Sequence, residues 1–237
     1  MNAVLEREKL VQASTCYDSR LGLNCRLIQY AAKIVLAHAT GPRLLELGCA
    51  NGVMTEIFAE HFPQVVVVEG APAYADIARA ILGNEGEVHC CLFEEFQPAE
   101  RFNDIVMAGV LEHVEDPVAL LKRAAGWLDS KGSIHIIVPN AMSLHRQVGV
   151  AMGLIARPNE MHSCDLAIGH RRIYTWELLE RHIRESGLCI VSRDGNFLKP
   201  LSNQQMADWP EQLLDAFQML GHSLPALAAE IYIQCQA

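Results

Sequence analysis

The sequence predicts a doubly wound α/β fold, and three observations carry that prediction. Short apolar runs alternate with helix-length amphipathic stretches between residues 43 and 140. The first run, Arg43 to Leu47, ends in the glycine turn Gly48-Cys49-Ala50-Asn51-Gly52, which opens a helix. The next run, Val65 to Val68, ends in the acid Glu69, followed by Gly70. Strand, glycine turn, helix, strand and acid, in that order, are the layout of a nucleotide-ribose site at the carboxyl edge of a parallel sheet.

At 237 residues, 51% hydrophobic and 20% charged, the chain suffices for one large domain. The net charge of -9 argues against a nucleic-acid partner, because such binding is driven by neutralising phosphates. No apolar run approaches the roughly 18 residues of a membrane span. Met1 to Val11 is charged and lacks the core of a signal peptide, so a cytoplasmic location is expected. The 8 cysteines form no CxxC pair. Their context, as at Cys49 and Cys189, predicts reduced, mostly buried thiols, and no metal-ligand spacing is present.

In chain order, residues 2–13 predict an amphipathic helix with Val4, Leu5, Leu10 and Val11 inward, and 14–20 a polar, mobile lead. Leu27, Tyr30, Ala31, Ile34 and Val35 mark a helix over 23–38, stopped at Gly41-Pro42. Strands are expected at 43–47, 65–69, 88–93, 104–108 and 133–138, with helices at 52–61, 73–82 and 117–128 and a turn at 129–132. Residues 141–172 break the alternation and predict a cap over the strand edge. A helix over 175–186 follows, capped by Thr175 and stopped at Gly187. A strand at 188–193, a helix over 203–220 and a strand at 230–235 imply a final antiparallel hairpin. The expected organisation is a single domain, 1–237, divided into N-terminal helices (1–40), a ligand-binding core (43–140), the cap and a C-terminal part of the sheet (173–237).

The glycine turn is not the GxGxxG of a dinucleotide site. It lacks the third glycine that seats a pyrophosphate, and Glu46 stands two residues before Gly48. A carboxylate there repels a phosphate and suits an ammonium group. Glu69 is placed to accept two ribose hydroxyls. The histidines at 38, 61, 89, 135, 182 and 222 are scattered and read as structural, and the three tryptophans as packing.

Glu46-Leu47-Gly48-Cys49-Ala50-Asn51-Gly52, Glu69 and Val110-Leu111-Glu112-His113-Val114-Glu115-Asp116-Pro117 together resemble class I S-adenosylmethionine-dependent methyltransferases. The small bacterial type with an LEHVxDP stretch is the best likeness. The resemblance covers 43–140 well and the rest loosely. It implies a Rossmann-like seven-stranded sheet in the order 3-2-1-4-5-7-6 with strand seven antiparallel, and S-adenosyl-L-methionine as cofactor. The loop Gly48, Cys49, Ala50 and Gly52, with Glu46, would hold its methionine part, and Glu69 and Gly70 its ribose. Leu92 and Phe93 would flank the adenine, and Ala108, Gly109 and Val110 would touch the methionine end. Tyr17 would close over the cofactor or stay a surface tyrosine. Two departures stand out: Ala50 replaces the middle glycine of GxGxG, and Cys91-Leu92-Phe93 replaces the acid often found after the third strand.

His113 lies just beyond the fourth strand, where it either takes a proton or fixes the loop. The resemblance makes His170 a general base. Arg171 and Arg172 either clamp an acceptor's carboxylate or phosphate or tie the cap to acids. Asn140, His145, His162 and Tyr174 are further candidates for the acceptor side. The reading is methyl transfer to a small-molecule acceptor, at oxygen ahead of nitrogen, by a monomer or homodimer with no metal, nucleic acid or membrane partner. The alternatives are a non-catalytic binder of the same cofactor and an NAD-linked oxidoreductase on a similar sheet.

Overall fold

The computed structural model describes residues 3–16 and 18–237. Two helices, α1 (Ala3–Cys16) and α2 (Gly22–His38), precede the sheet. The alternating core is β1 (Arg43–Leu47), α3 (Val53–His61), β2 (Gln64–Val68), α4 (Pro72–Leu82), β3 (Glu87–His89), β4 (Phe102–Ala108), α5 (Pro117–Trp127) and β5 (Leu128–Pro139). Then follow α6 (Leu144–Ala151), α7 (Ser163–Ala167), α8 (Trp176–Glu185), β6 (Cys189–Asn196), α9 (Glu211–Ser223) and β7 (Glu230–Gln236). The seven strands order as β3-β2-β1-β4-β5-β7-β6. The pairs of the first five strands are parallel, and β7 runs antiparallel to both β5 and β6. This is the sheet that the resemblance implied.

Successive strand side chains point to opposite faces, so each central strand feeds two cores. Leu44, Val67, Val106 and Ile137 pack with Phe58 of α3 and Ala31, Ile34 and Val35 of α2. Leu45, Leu47, Ile105 and Met107 pack on the other face with Leu120 and Leu121 of α5 and Leu179 and Ile183 of α8. Each such fully buried side chain contributes about 1.5–3 kcal/mol. Opposite the carboxyl edge, buried His135 bridges Asp104 (3.0 Å) and Tyr232 (2.9 Å), and Asp104 accepts the backbone N–H groups of Thr40 and Gly41.

Several expectations are corrected. In α1 the inward face is Glu6, Leu10 and Ala13, one helical stripe, whereas Val4, Leu5 and Val11 point to solvent. Residues 18–20 are not a free lead. Ser19 is buried with its N–H and hydroxyl on Asn51, and Arg20 bonds the Asn51 carbonyl and Glu56. The third strand is only three residues long. The chain turns after it, because Glu95 caps the Leu92 N–H with its carboxylate and donates its own N–H to the Leu92 carbonyl.

The expected turn at 129–132 survives as a bulge inside β5: Leu128 pairs with Phe102 and Ser133 with Asp104. The helix expected over 203–220 is split. Gln204–Met206 forms one tight turn, and α9 starts after Pro210, which has no N–H to continue a helix from the preceding turn. Cys49 is buried as expected, but Cys189 is exposed, since β6 is an edge strand.

Between 141 and 172, α6 buries no residue fully, and Met142, Met152 and Leu154 are exposed. Among the described residues of this segment, those that reach the cavity described next lie at its far end, at Ile168 and His170. No helix among the described residues is long and apolar enough to cross a membrane.

Candidate active site

A cavity of about 380 Å³ opens at the carboxyl edge, where β1 and β4 meet. Its floor is the glycine turn. Gly48 and Gly52 hold φ of 75° and 76°, and Ala50 also takes a positive φ of 46°. Those values favour glycine, so Ala50 is strained, and the turn is held by Gly52 donating to the Cys49 carbonyl at 2.8 Å. Gly48, Cys49 and Ala50 line the cavity, but Gly52 does not. A Cβ on Gly52 would fall 2.3 Å from Ile81 Cδ1, so this glycine serves the contact between α3 and α4.

Two acids flank the turn. Glu69 is buried at the end of β2. Its Oε2 accepts the Cys49 N–H at 3.1 Å and its Oε1 the Ala71 N–H at 2.7 Å. Cys49 Sγ also lies 3.8 Å from Oε2, a weak donor that a ligand's hydroxyl can displace. Burial raises the pKa of Glu69, opposed by these backbone bonds. Glu46 points from β1 into the same space with Thr55 Oγ1 on its Oε2 at 2.7 Å. Burial pushes its pKa up to about 8. An ammonium group beside it would restore the charged form.

Gly70, Leu92, Phe93, Ala108, Gly109 and Val110 complete the wall around the turn. Phe93 and Val110 approach Gly48 closely; a Cβ there would meet Val110 Cγ2 at 3.3 Å. Helix α1 forms the roof. Leu10 lies over Gly70, where an added Cβ would fall 2.4 Å from Leu10 Cδ1. Tyr17 lies outside the described residues.

At the far end of the cavity, His113 and His170 stand edge to face with ring centroids 4.7 Å apart. Glu112, His113 and His170 bring their donor and acceptor atoms within 4.8 Å of one another, the one such grouping among the described residues close enough to grip a cation or an acceptor's polar hydrogens. Glu112 is 2% exposed, and its Oε2 has no hydrogen-bond partner. Burial holds its carboxyl at about 8. Burial and the neighbouring His170 pull His113 down to about 4. Burial also lowers His170, against the pull of Asp165, whose Oδ1 lies 3.6 Å from its Nδ1. Both rings are therefore neutral near pH 7.

The six residues expected on the acceptor side turn elsewhere. Asn140 spends its amide on the carbonyls of Ala226 and Ala228 and accepts the Met142 N–H, tying β5 to the approach of β7. Tyr174 is buried against Leu111 and His182. Arg172 donates to the carbonyls of Leu111, Val114 and Glu115. Arg171 bridges the His113 carbonyl (2.7 Å) and Glu6 of α1 (2.9 Å). Both arginines thus brace the Leu111–Glu115 loop, and neither lines the cavity. His145 is half-buried outside the cavity wall, pulled down to about 3 by burial, then by Lys199, Arg146 and His162. His162 is exposed.

Residues not singled out from the sequence also line the cavity: Glu112, Glu230, Ile168 and, from α1, Glu6 and Leu10. Glu112 sat inside the very motif that carried the resemblance, so a signal for it existed. Glu230 had none, being an acid at the start of an ordinary strand.

The methyltransferase domain model matches residues 17–193. A ubiquinone biosynthesis O-methyltransferase of Bradyrhizobium sp. (strain ORS 278) is 36% identical over 191 residues, covering 76% of this chain and 71% of that protein. Its counterpart in Rhodopseudomonas palustris (strain BisB5) is 28% identical over the same span and shares of both chains. Among solved structures, the N-methyltransferase NodS from Bradyrhizobium japonicum WM9, in complex with S-adenosyl-L-homocysteine, superposes with a TM-score of 0.54. It is 16% identical and covers 88% of this chain and 84% of that one.

Proposed function

The chain belongs to the methyltransferase-domain family and is an S-adenosylmethionine-dependent methyltransferase; on that premise we propose that it acts in the cytoplasm on a small-molecule acceptor, methylating oxygen. Family membership sets aside the oxidoreductase and the non-catalytic binder. The names of the relatives favour oxygen. Nitrogen is the second reading, favoured by the unpaired Glu112 carboxyl, which suits an amine as well as a hydroxyl.

The cofactor supplies a methyl group activated by a sulfonium. The chain's own residues bind, orient and move a proton. Glu69 would take the ribose hydroxyls. Glu46 faces the ammonium, and Gly48, Cys49 and Ala50 let the backbone approach the methionine part. Leu92 and Phe93 flank the adenine, while Ala108, Gly109 and Val110 border the methyl-bearing end. His170 accepts the acceptor's proton, with His113 packed edge to face on it and burial favouring its neutral form. Holding nucleophile and methyl in line is the larger part of the catalysis, because transfer from a sulfonium needs little covalent help.

The observation that carries this reading is the single cavity shared by Glu69, the glycine turn and the His113–His170 pair. Calorimetry with S-adenosylmethionine and with NAD, followed by a screen of small molecules with methyl-labelled cofactor, tests it. Binding of S-adenosylmethionine with a labelled product supports the reading. Cofactor binding with no product from any acceptor overturns it.

A further inference from the structure

The cavity wall contains six glutamates and two histidines but no lysine or arginine among the described residues. Four of the glutamates are accounted for. Glu46 and Glu69 face the cofactor's share of the cavity, Glu94 lies exposed beside Phe93, and Glu6 is paired with Arg171. The other two are Glu112 and Glu230, with Glu230 near enough to raise the proton affinity of Glu112. Behind Glu230 lies Lys199, outside the wall, and Asn196 Nδ2 donates to Glu230 Oε2 at 2.6 Å.

The three nearby arginines are committed. Arg171 and Arg172 serve backbone carbonyls and Glu6. Arg146 donates to the carbonyls of Pro158 and Glu160. An acceptor bearing a carboxylate or phosphate would be desolvated against a wall that offers no lysine or arginine to pair with it, and burying an unpaired charge is costly. Glu112 Oε2, buried and without a hydrogen-bond partner, instead calls for a neutral polar partner such as a hydroxyl or an amine.

Resting on the methyl-transfer reading, we infer that the acceptor carries no anionic group and presents a hydroxyl or amine hydrogen to Glu112. It is a neutral or amine-bearing molecule, not an acid or a phosphate ester. The site thereby selects acceptors by charge.

The test uses methyl-labelled S-adenosylmethionine and a panel of phenols, alcohols and amines, each offered as the free carboxylic acid and as its primary amide. A small-molecule cell extract is labelled in parallel and passed over an anion exchanger. The amide is expected to exceed its acid by about ten-fold or more in kcat/KM, a factor matching about 1.4 kcal/mol. The labelled extract product is expected in the flow-through. Glu230→Gln should uncover Lys199 and raise the acid relative to its amide. An acid equal to or better than its amide, or an extract product retained on the exchanger, overturns the inference. If the protein binds the cofactor yet labels nothing in the panel or the extract, the methyl-transfer reading fails first and this one falls with it.

Discussion

Arg171 reaches Glu6 of the roof helix, 165 residues away in sequence, at 2.9 Å, and with the same guanidinium holds the backbone of the His113 loop at 2.7 Å. Of the two readings the sequence allowed for this residue, an acceptor clamp or a tie to acids, the contacts match the second. That redirects attention from the arginines to the acids and histidines of the wall, where the following predictions lie.

Glu69→Ala removes the proposed ribose contacts and leaves the Cys49 and Ala71 N–H groups without their acceptor. Hydrogen bonds to a charged group contribute about 1.5–3 kcal/mol each, so affinity for S-adenosylhomocysteine should fall by at least about 100-fold. Calorimetry measures it, with circular dichroism confirming the fold. Unchanged affinity would remove Glu69 from the cofactor site.

Glu46 is raised to about 8 in the free protein, so it is largely protonated at pH 7. Binding of an ammonium-bearing cofactor favours its ionised form, so binding releases a proton and affinity rises with pH from about 6 to 8. Titration calorimetry in two buffers of different ionisation enthalpy reads the proton directly. Glu46→Gln should abolish the release; a release that persists in this variant assigns the proton to another group.

His170→Ala should lower kcat by about 100-fold or more while leaving cofactor affinity within about three-fold, the split expected of a proton acceptor that does not hold the cofactor. A variant with wild-type turnover would exclude His170 as the base.

His145 is held near 3 in the fold against an ordinary value near 6.5. Its depressed value means that the unfolded chain binds the extra proton first. Stability is therefore intact above about pH 6.5 and declines as pH falls from there toward 3. His145→Gln should shift the midpoint of acid unfolding to lower pH, followed by fluorescence. A midpoint that stays in place would show that the acid limb belongs to other groups, of which His113 is the next.

The strands were legible because burial on both faces leaves a near-continuous apolar run, as in Val65 to Val68 and Ile105 to Met107. The glycine turn and Glu69 were legible because their chemistry is local in sequence. The acceptor end was not. Arg171 and Arg172 are indistinguishable in sequence from a ligand clamp until the carbonyls of the Leu111–Glu115 loop are seen to occupy them. Val4, Leu5 and Val11 misled because an apolar count does not reveal which stripe of a helix faces inward; the stripe of Glu6, Leu10 and Ala13 carries an acid because it meets a ligand cavity and not a dry core. Glu230 was invisible because its importance comes from the antiparallel pairing with Pro139, a neighbour only in space.

The seat of Leu10 over Gly70 has a kinetic meaning. That contact predicts that a spent cofactor is released by displacement of the helix. Turnover with a good acceptor then runs at the pace of that displacement, and kcat should fall in proportion as glycerol or sucrose thickens the solvent. Leu10→Ala, which lightens the latch, should quicken release and flatten that viscosity dependence. Indifference of kcat to viscosity in the parent protein would place the slow step in the chemistry instead.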